Sequence, residues 1–259
     1  MRQSRTTKWI LGFYTLGVFL FMHIPLAVIV LFSFSDKRVL ALPIRGWTLD
    51  WYRQMLEDER LYTGLFNSLK VASTATLLAT FLGTLGAFAV MRWKFFGRNV
   101  FRSAVVIPIL LPGIVTGVAM LSFFGTAGIP LGLATVIIGH ATFGFPVVFN
   151  MVNARLARLP RSLEEASADL GATPAQTFRR VIFPSIRSAI IAGALLAFTL
   201  SFDEIVVTIF LTGKDNTLPM EIYSRLRFGM TPEINAAVTA ILTASAVLVL
   251  LSTWFSRKA

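Results

Sequence analysis

Two adjacent carboxylates, Asp203 and Glu204, interrupt the apolar run SIRSAIIAGALLAFTLSFDEIVVTIFL. A charged side chain at the centre of a membrane helix costs about 2.5–3.5 kcal/mol on insertion scales. Such a pair must be offset by water, a charged partner or a cationic ligand. At helical spacing Thr199, Asp203 and Val207 share one face, with Glu204 and Thr208 about 100° round. Asp203 is therefore the candidate for the wall of a pathway for a cationic solute, with Thr199, Glu204 and Thr208 beside it. The competing assignment is a salt bridge from Asp203 to Lys70 or to an arginine of a partner subunit. Adjacent residues cannot both face one narrow lumen, which leaves Glu204 open to a structural role. Other chemistries are excluded. There is no cysteine, hence no disulfide or thiolate site, and the two histidines, His23 and His140, lie in separate apolar runs and make no metal site. G-x-x-x-x-G-K-[ST], H-E-x-x-H and G-x-S-x-G are all absent, so the chain is not expected to be an enzyme or to bind ATP by a phosphate loop.

A second constellation lies in LPRSLEEASADLGATPAQTFRRVIFP, residues 159–184. Ser162-Leu163-Glu164-Glu165 has the pattern of a capping box, predicting a short helix from Ser162 to Leu170 that stops at Gly171. Thr173-Pro174-Ala175-Gln176 predicts a second capped start. The expectation is a helical hairpin over 162–183 with Leu163, Ala166 and Leu170 on one apolar stripe, read either as a cover over helix ends or as a surface that fits a groove on another protein.

These residues must be held by membrane helices. Hydrophobic residues are 55% of the 259, charged residues 14%, and mean hydropathy is +0.72. A soluble domain carries roughly 25% charged residues. The apolar residues fall in six runs: Trp9–Phe34, Leu65–Met91, Phe101–Phe124, Leu131–Val152, about Ser185–Leu211 and Asn235–Phe255. Each is near the roughly 20 residues that a spanning helix needs, too long for a barrel strand, and without strict alternation. The fold expected is an all-α polytopic membrane protein, one transmembrane domain over 1–259. The first run lacks a cleavage site and is expected to be retained. Pro108, Pro112 and Gly113 predict a bend in span three. Ala79, Gly83, Gly86, Ala87 and Ala89 make a small-residue stripe for close helix packing, and His140 and Asn150 are expected to bond neighbouring helices.

The net charge of +11 is read as a topology signal rather than a nucleic-acid surface. The N-terminus, the 92–102 loop, the 153–187 loop and the C-terminus hold 15 Lys and Arg, from Arg2 to Lys258, against 8 in the 35–64 and 212–234 segments. Both termini and the 162–183 hairpin are thus expected on the cytoplasmic side. The outer 35–64 segment carries Trp47, Trp51, Tyr52 and Tyr62, with a short interfacial helix expected from Leu49.

Glu165-Ala166-Ser167, Gly171 and Val181-x-Phe183-Pro184 resemble the E-A-A…G…I-x-L-P loop of type I ABC-importer permeases, with Ser167, Val181 and Phe183 as the three departures. The Thr199–Gly213 region, L-P-x-x-I-Y-S from Leu218, and Gly229 to Asn235 further resemble the second permease of spermidine/putrescine-type importers. The resemblance implies a six-helix permease subunit in a bacterial inner membrane, carrying polyamines or related organic amines. It implies that Ser162, Glu164, Glu165, Ala166, Asp169, Leu170 and Gly171 couple to a cytoplasmic ATPase dimer, where ATP and Mg bind. The other implied partners are a second, different permease subunit and an extracytoplasmic substrate-binding protein. This chain itself would hold no cofactor. The alternative is an ion- or proton-coupled secondary transporter, which would want a matching acidic or broken-helix motif in spans one to three; the sequence shows none.

Overall fold

The computed structural model describes residues 5–39, 41–229 and 231–256. Arg2, Arg257 and Lys258 of the charge count, and Met230 of the 229–235 turn, lie outside them. Among the described residues twelve α-helices follow one another: α1 (Arg5–Phe32), α2 (Asp50–Glu57), α3 (Glu59–Arg92), α4 (Arg98–Leu110), α5 (Gly113–Thr126), α6 (Leu133–Ala157), α7 (Ser162–Asp169), α8 (Pro174–Thr177), α9 (Phe183–Phe202), α10 (Val206–Leu211), α11 (Leu218–Leu226) and α12 (Pro232–Ser256). A π-helical turn, Phe178–Ile182, joins α8 to α9. No strand forms among the described residues beyond an isolated antiparallel bridge between Ser35 and Trp47. The fold is all-α.

Among the described residues, four helical stretches are long and apolar enough to span a bilayer: Thr7–Phe32, Glu59–Arg92, Leu133–Ala157 and Pro174–Phe202; the bent pair α4/α5 makes a fifth. α12 is apolar over Pro232–Val247 and its backbone continues as helix to Ser256.

Two expected spans are not continuous helices. The bend in span three is a 106° corner between α4 and α5. Pro108 is accommodated inside α4, whereas Leu111, forced out of the helical region by the ring of Pro112, is extended at φ −79° and ψ 139°. Span five does not run to Leu211 as one helix. It stops at Phe202, passes through Asp203, Glu204 and Ile205, and restarts at Val206. Of the face expected for Thr199, Asp203 and Val207, the first two keep helical spacing, the Asp203 N–H donating to the Thr199 carbonyl, whereas Val207 lies beyond the break and is buried. The physical reason lies in the same carboxylates. Glu204 Oε1 accepts the backbone N–H of Val207 at 2.9 Å, offering that donor a partner outside the helical ladder.

The chain divides into two compact units. In the unit of residues 1–59 and 222–259, α12 packs on α1 and α2. The short helix expected near Leu49 is α2, but Trp51 is not an interfacial anchor. It is buried, and its indole N–H donates to the Ser35 carbonyl at 2.6 Å. Arg225 sits between Asp58 and Glu233 at 2.6 and 3.0 Å.

In the unit of residues 60–221, one core cluster joins α3, α4, α6 and α9 through Ala79, Ala87, Val90, Val105, Val148, Phe149, Val152 and Ile186. Hydrocarbon solvent gives helices no hydrophobic drive to associate, so close approach by small residues matters. Gly83 of the expected stripe is the tightest point. A Cβ there would lie 2.9 Å from the Phe149 nitrogen and 3.0 Å from the Phe145 carbonyl oxygen.

Candidate transport pocket and coupling hairpin

The two helix breaks meet. A pocket of about 230 Å³ is lined by Pro108, Ile109, Leu111, Gly113 and Thr116 around the α4/α5 corner, and by Leu200, Glu204 and Val207 around the α9/α10 break, with Phe143 of α6. Glu204 is the ionisable group among these residues. One of its oxygens caps α10 through Val207. Thr116 adds a buried hydroxyl with no hydrogen-bond partner among the described residues.

The other residues singled out in span five are placed differently. Asp203 is exposed at the end of α9 and does not line the pocket. Lys70 is exposed and makes no ion pair with Asp203 among the described residues. Thr199 is exposed and its hydroxyl donates to the Leu195 carbonyl at 3.0 Å. Thr208 is fully buried and donates to the Glu204 carbonyl at 2.9 Å.

His140 holds the break together. It is buried, with Nδ1 2.8 Å from Ser201 Oγ on α9 and Nε2 2.9 Å from Thr208 Oγ1 on α10. One ring thus bridges both sides of the interruption. The expectation that His140 bonds neighbouring helices fits this geometry, whereas Asn150 is exposed. The bridge itself is not readable in the sequence, because its partners lie 61 and 68 residues away.

At its other end this unit carries the 162–183 hairpin. α7 stops as expected. Gly171 takes φ +77°, its N–H donates to the Ala168 carbonyl, and the Ala172 N–H donates to the Ser167 carbonyl, the Schellman arrangement. The second capping box forms too: Thr173 accepts from the Gln176 N–H, and Gln176 Oε1 accepts from the Thr173 N–H. The first does not. Arg161 already has helical angles, φ −64° and ψ −26°, and its carbonyl accepts the Glu165 N–H, so Ser162 is inside the helix and caps nothing. The hairpin also lacks a joint before span five. Pro184 has no N–H to give, and the chain widens into the π turn, with Phe183 N–H reaching the Phe178 carbonyl, instead of leaving the helix.

Ser162, Leu163, Glu165, Ala166, Asp169, Leu170 and Gly171 are exposed, Leu170 by 88%. Glu164 points the other way and forms an ion pair with Arg92, the last residue of α3. Ser167 Oγ lies 3.0 Å from Thr177 Oγ1, tying α7 to α8 where the family pattern has alanine. Arg92 was visible in the sequence only as one positive charge among many.

The sequence and fold have clear relatives. Residues 75–258 match the family described as binding-protein-dependent transport system inner membrane component. The putrescine transport system permease protein PotI of Escherichia coli K12 is 36% identical over 98% of this chain and 92% of its own length. The spermidine/putrescine transport system permease protein PotC of Haemophilus influenzae is 34% identical over 93% of this chain and 94% of its own. Among solved structures, a chain of a bacterial ABC transporter involved in alginate import aligns with a TM-score of 0.69 at 18% identity, covering 99% of both chains. A chain of a methionine ABC transporter in an inward-facing conformation aligns with 0.59 at 19% identity, covering 79% of this chain and 95% of that one. A matched model over most of the chain, relatives above 30% identity along nearly all of it, and a shared fold lead to one assignment: the chain belongs to the inner-membrane permease family of binding-protein-dependent ABC importers, as a multi-pass membrane protein.

Proposed function

We propose that this chain forms part of the translocation pathway of an ATP-driven importer for putrescine, spermidine or related organic amines. The observation that carries the reading is Glu204, a carboxylate in a pocket whose other lining residues are apolar or neutral, placed where two broken spans meet. A cationic amine needs a carboxylate to replace its hydration, and Phe143 lends an aromatic face for cation–π contact. The names of the PotI and PotC relatives support the same cargo class.

In this reading both termini and the 162–183 hairpin are cytoplasmic, and the exposed stripe of α7 docks in a cleft of an ABC ATPase that binds ATP and Mg. A second, non-identical permease completes the pathway and an extracytoplasmic binding protein delivers the amine. ATP-driven closure pushes α7, and the two states differ in affinity for the cargo, as coupling requires. The test is uptake into vesicles reconstituted with the whole complex, with labelled putrescine and competition by spermidine, other amines and unrelated solutes. Amines compete and uptake needs ATP. Amine uptake by this chain with no nucleotide-hydrolysing partner would refute the reading.

A further inference from the structure

We infer that Arg92 is a positioning residue that makes the end of α3 move with α7 during transport. The inference rests on the reading of α7 as the helix that contacts the ATPase. Arg92 closes α3, and its side chain is 11% exposed against 27% for its partner Glu164. A pair this shielded is little weakened by salt, and losing one member leaves the other charge half-buried without compensation. The neighbouring cations Lys94, Arg98 and Arg102 pair with no acid among the described residues. They serve topology; Arg92 does that and more.

Glu164 sits in the first turn of α7, where a carboxylate also complements the helix dipole. Its neighbours Leu163, Glu165 and Ala166 face outward, so the two sides of one short helix are divided between an outer contact and Arg92. A second tie supports the first: Phe88 of α3 meets Phe178 of the π turn edge-on, with ring centroids 5.5 Å apart. The chain itself links α7 to α6, and Ser167 links it to α8. The Arg92 pair extends the connection to span two, so displacement of α7 is shared by α3 rather than delivered to span five alone.

The experiment uses the whole complex in vesicles and reads amine taken up per ATP hydrolysed. Arg92→Ala lowers this ratio about tenfold while the amount of co-purified ATPase is unchanged. Arg92→Lys keeps most of it, and the exchange Arg92→Glu with Glu164→Arg restores it. The chain has no cysteine, so spin labels at Phe96→Cys and Ala168→Cys are unique within it. They report one narrow distance with and without ATP when Arg92 is present, and a broad distribution in Arg92→Ala. Arg92→Gln, which keeps much of the packed stem, replaces Arg92→Ala if the latter does not assemble. An alanine or glutamine variant as tightly coupled as the parent, or a charge exchange as uncoupled as Arg92→Ala, overturns the inference. A parent complex that takes up no amine, or does so without ATP, refutes the functional reading instead, and the label distances still decide the role of Arg92.

Discussion

The two helix breaks around the pocket have opposite causes. The α4/α5 corner is favoured by the backbone: Pro112 disfavours the helical region at Leu111, and α5 packs against α10 beyond the turn. The α9/α10 break contains no proline or glycine. It is held by side chains, with Glu204 on the Val207 N–H and His140 between Ser201 and Thr208. The ring that favours this corner is part of the chain, and no ligand can remove it. A break maintained by three hydrogen bonds can be lost, or altered by whatever binds Glu204. The fixed wall and the adjustable wall of one pocket therefore differ in what chemistry can change them.

The sharpest way to break this comparison is His140→Ala. It removes a fully packed ring and two interhelical bonds, and should lower stability by roughly 3 kcal/mol, seen as a large fall in Tm in detergent. Next, Glu204→Gln retains an oxygen for the Val207 N–H but no charge. It should keep the parent Tm while amine uptake falls about tenfold. Glu204→Ala should lose both. A glutamine variant with parental uptake would remove Glu204 from the pathway. The smallest effect belongs to Pro112→Ala: packing of α5 on α10 keeps the corner, so the change should cost about 0.4–1 kcal/mol through the unfolded chain and leave uptake nearly intact. If it matched His140→Ala in Tm, the two breaks would not differ in kind.

Local chemistry was legible in the sequence where neighbours in the chain settle it. Thr173 caps because Pro174 and Gln176 follow at the right spacing, and Gly171 ends α7 because it alone there takes φ +77° without strain. Ser162 shows the limit. Its motif is complete, but α7 starts at Ser162 itself with Arg161 in the cap position, a shift of one residue that tertiary contacts such as the Glu164–Arg92 pair can favour. In span five the cost of Asp203 and Glu204 was readable, but not its outcome. The pair could have recruited Lys70; instead the helix opened and Glu204 became its own backbone's acceptor. His140 and Arg92 were present as letters, while their partners, 61 to 72 positions distant along the chain, are fixed only by packing.

The unbroken helical stretch from Pro174 to Phe202 has a mechanical meaning. Its 29 residues make a rod about 40 Å long. Because the π turn accommodates Pro184 with Phe183 still at helical angles, the rod continues from the hairpin to the break at Asp203. In the proposed reading, movement of the hairpin that α3 does not take up is carried along this rod to the interruption beside Glu204, which makes the carboxylate the end of the lever.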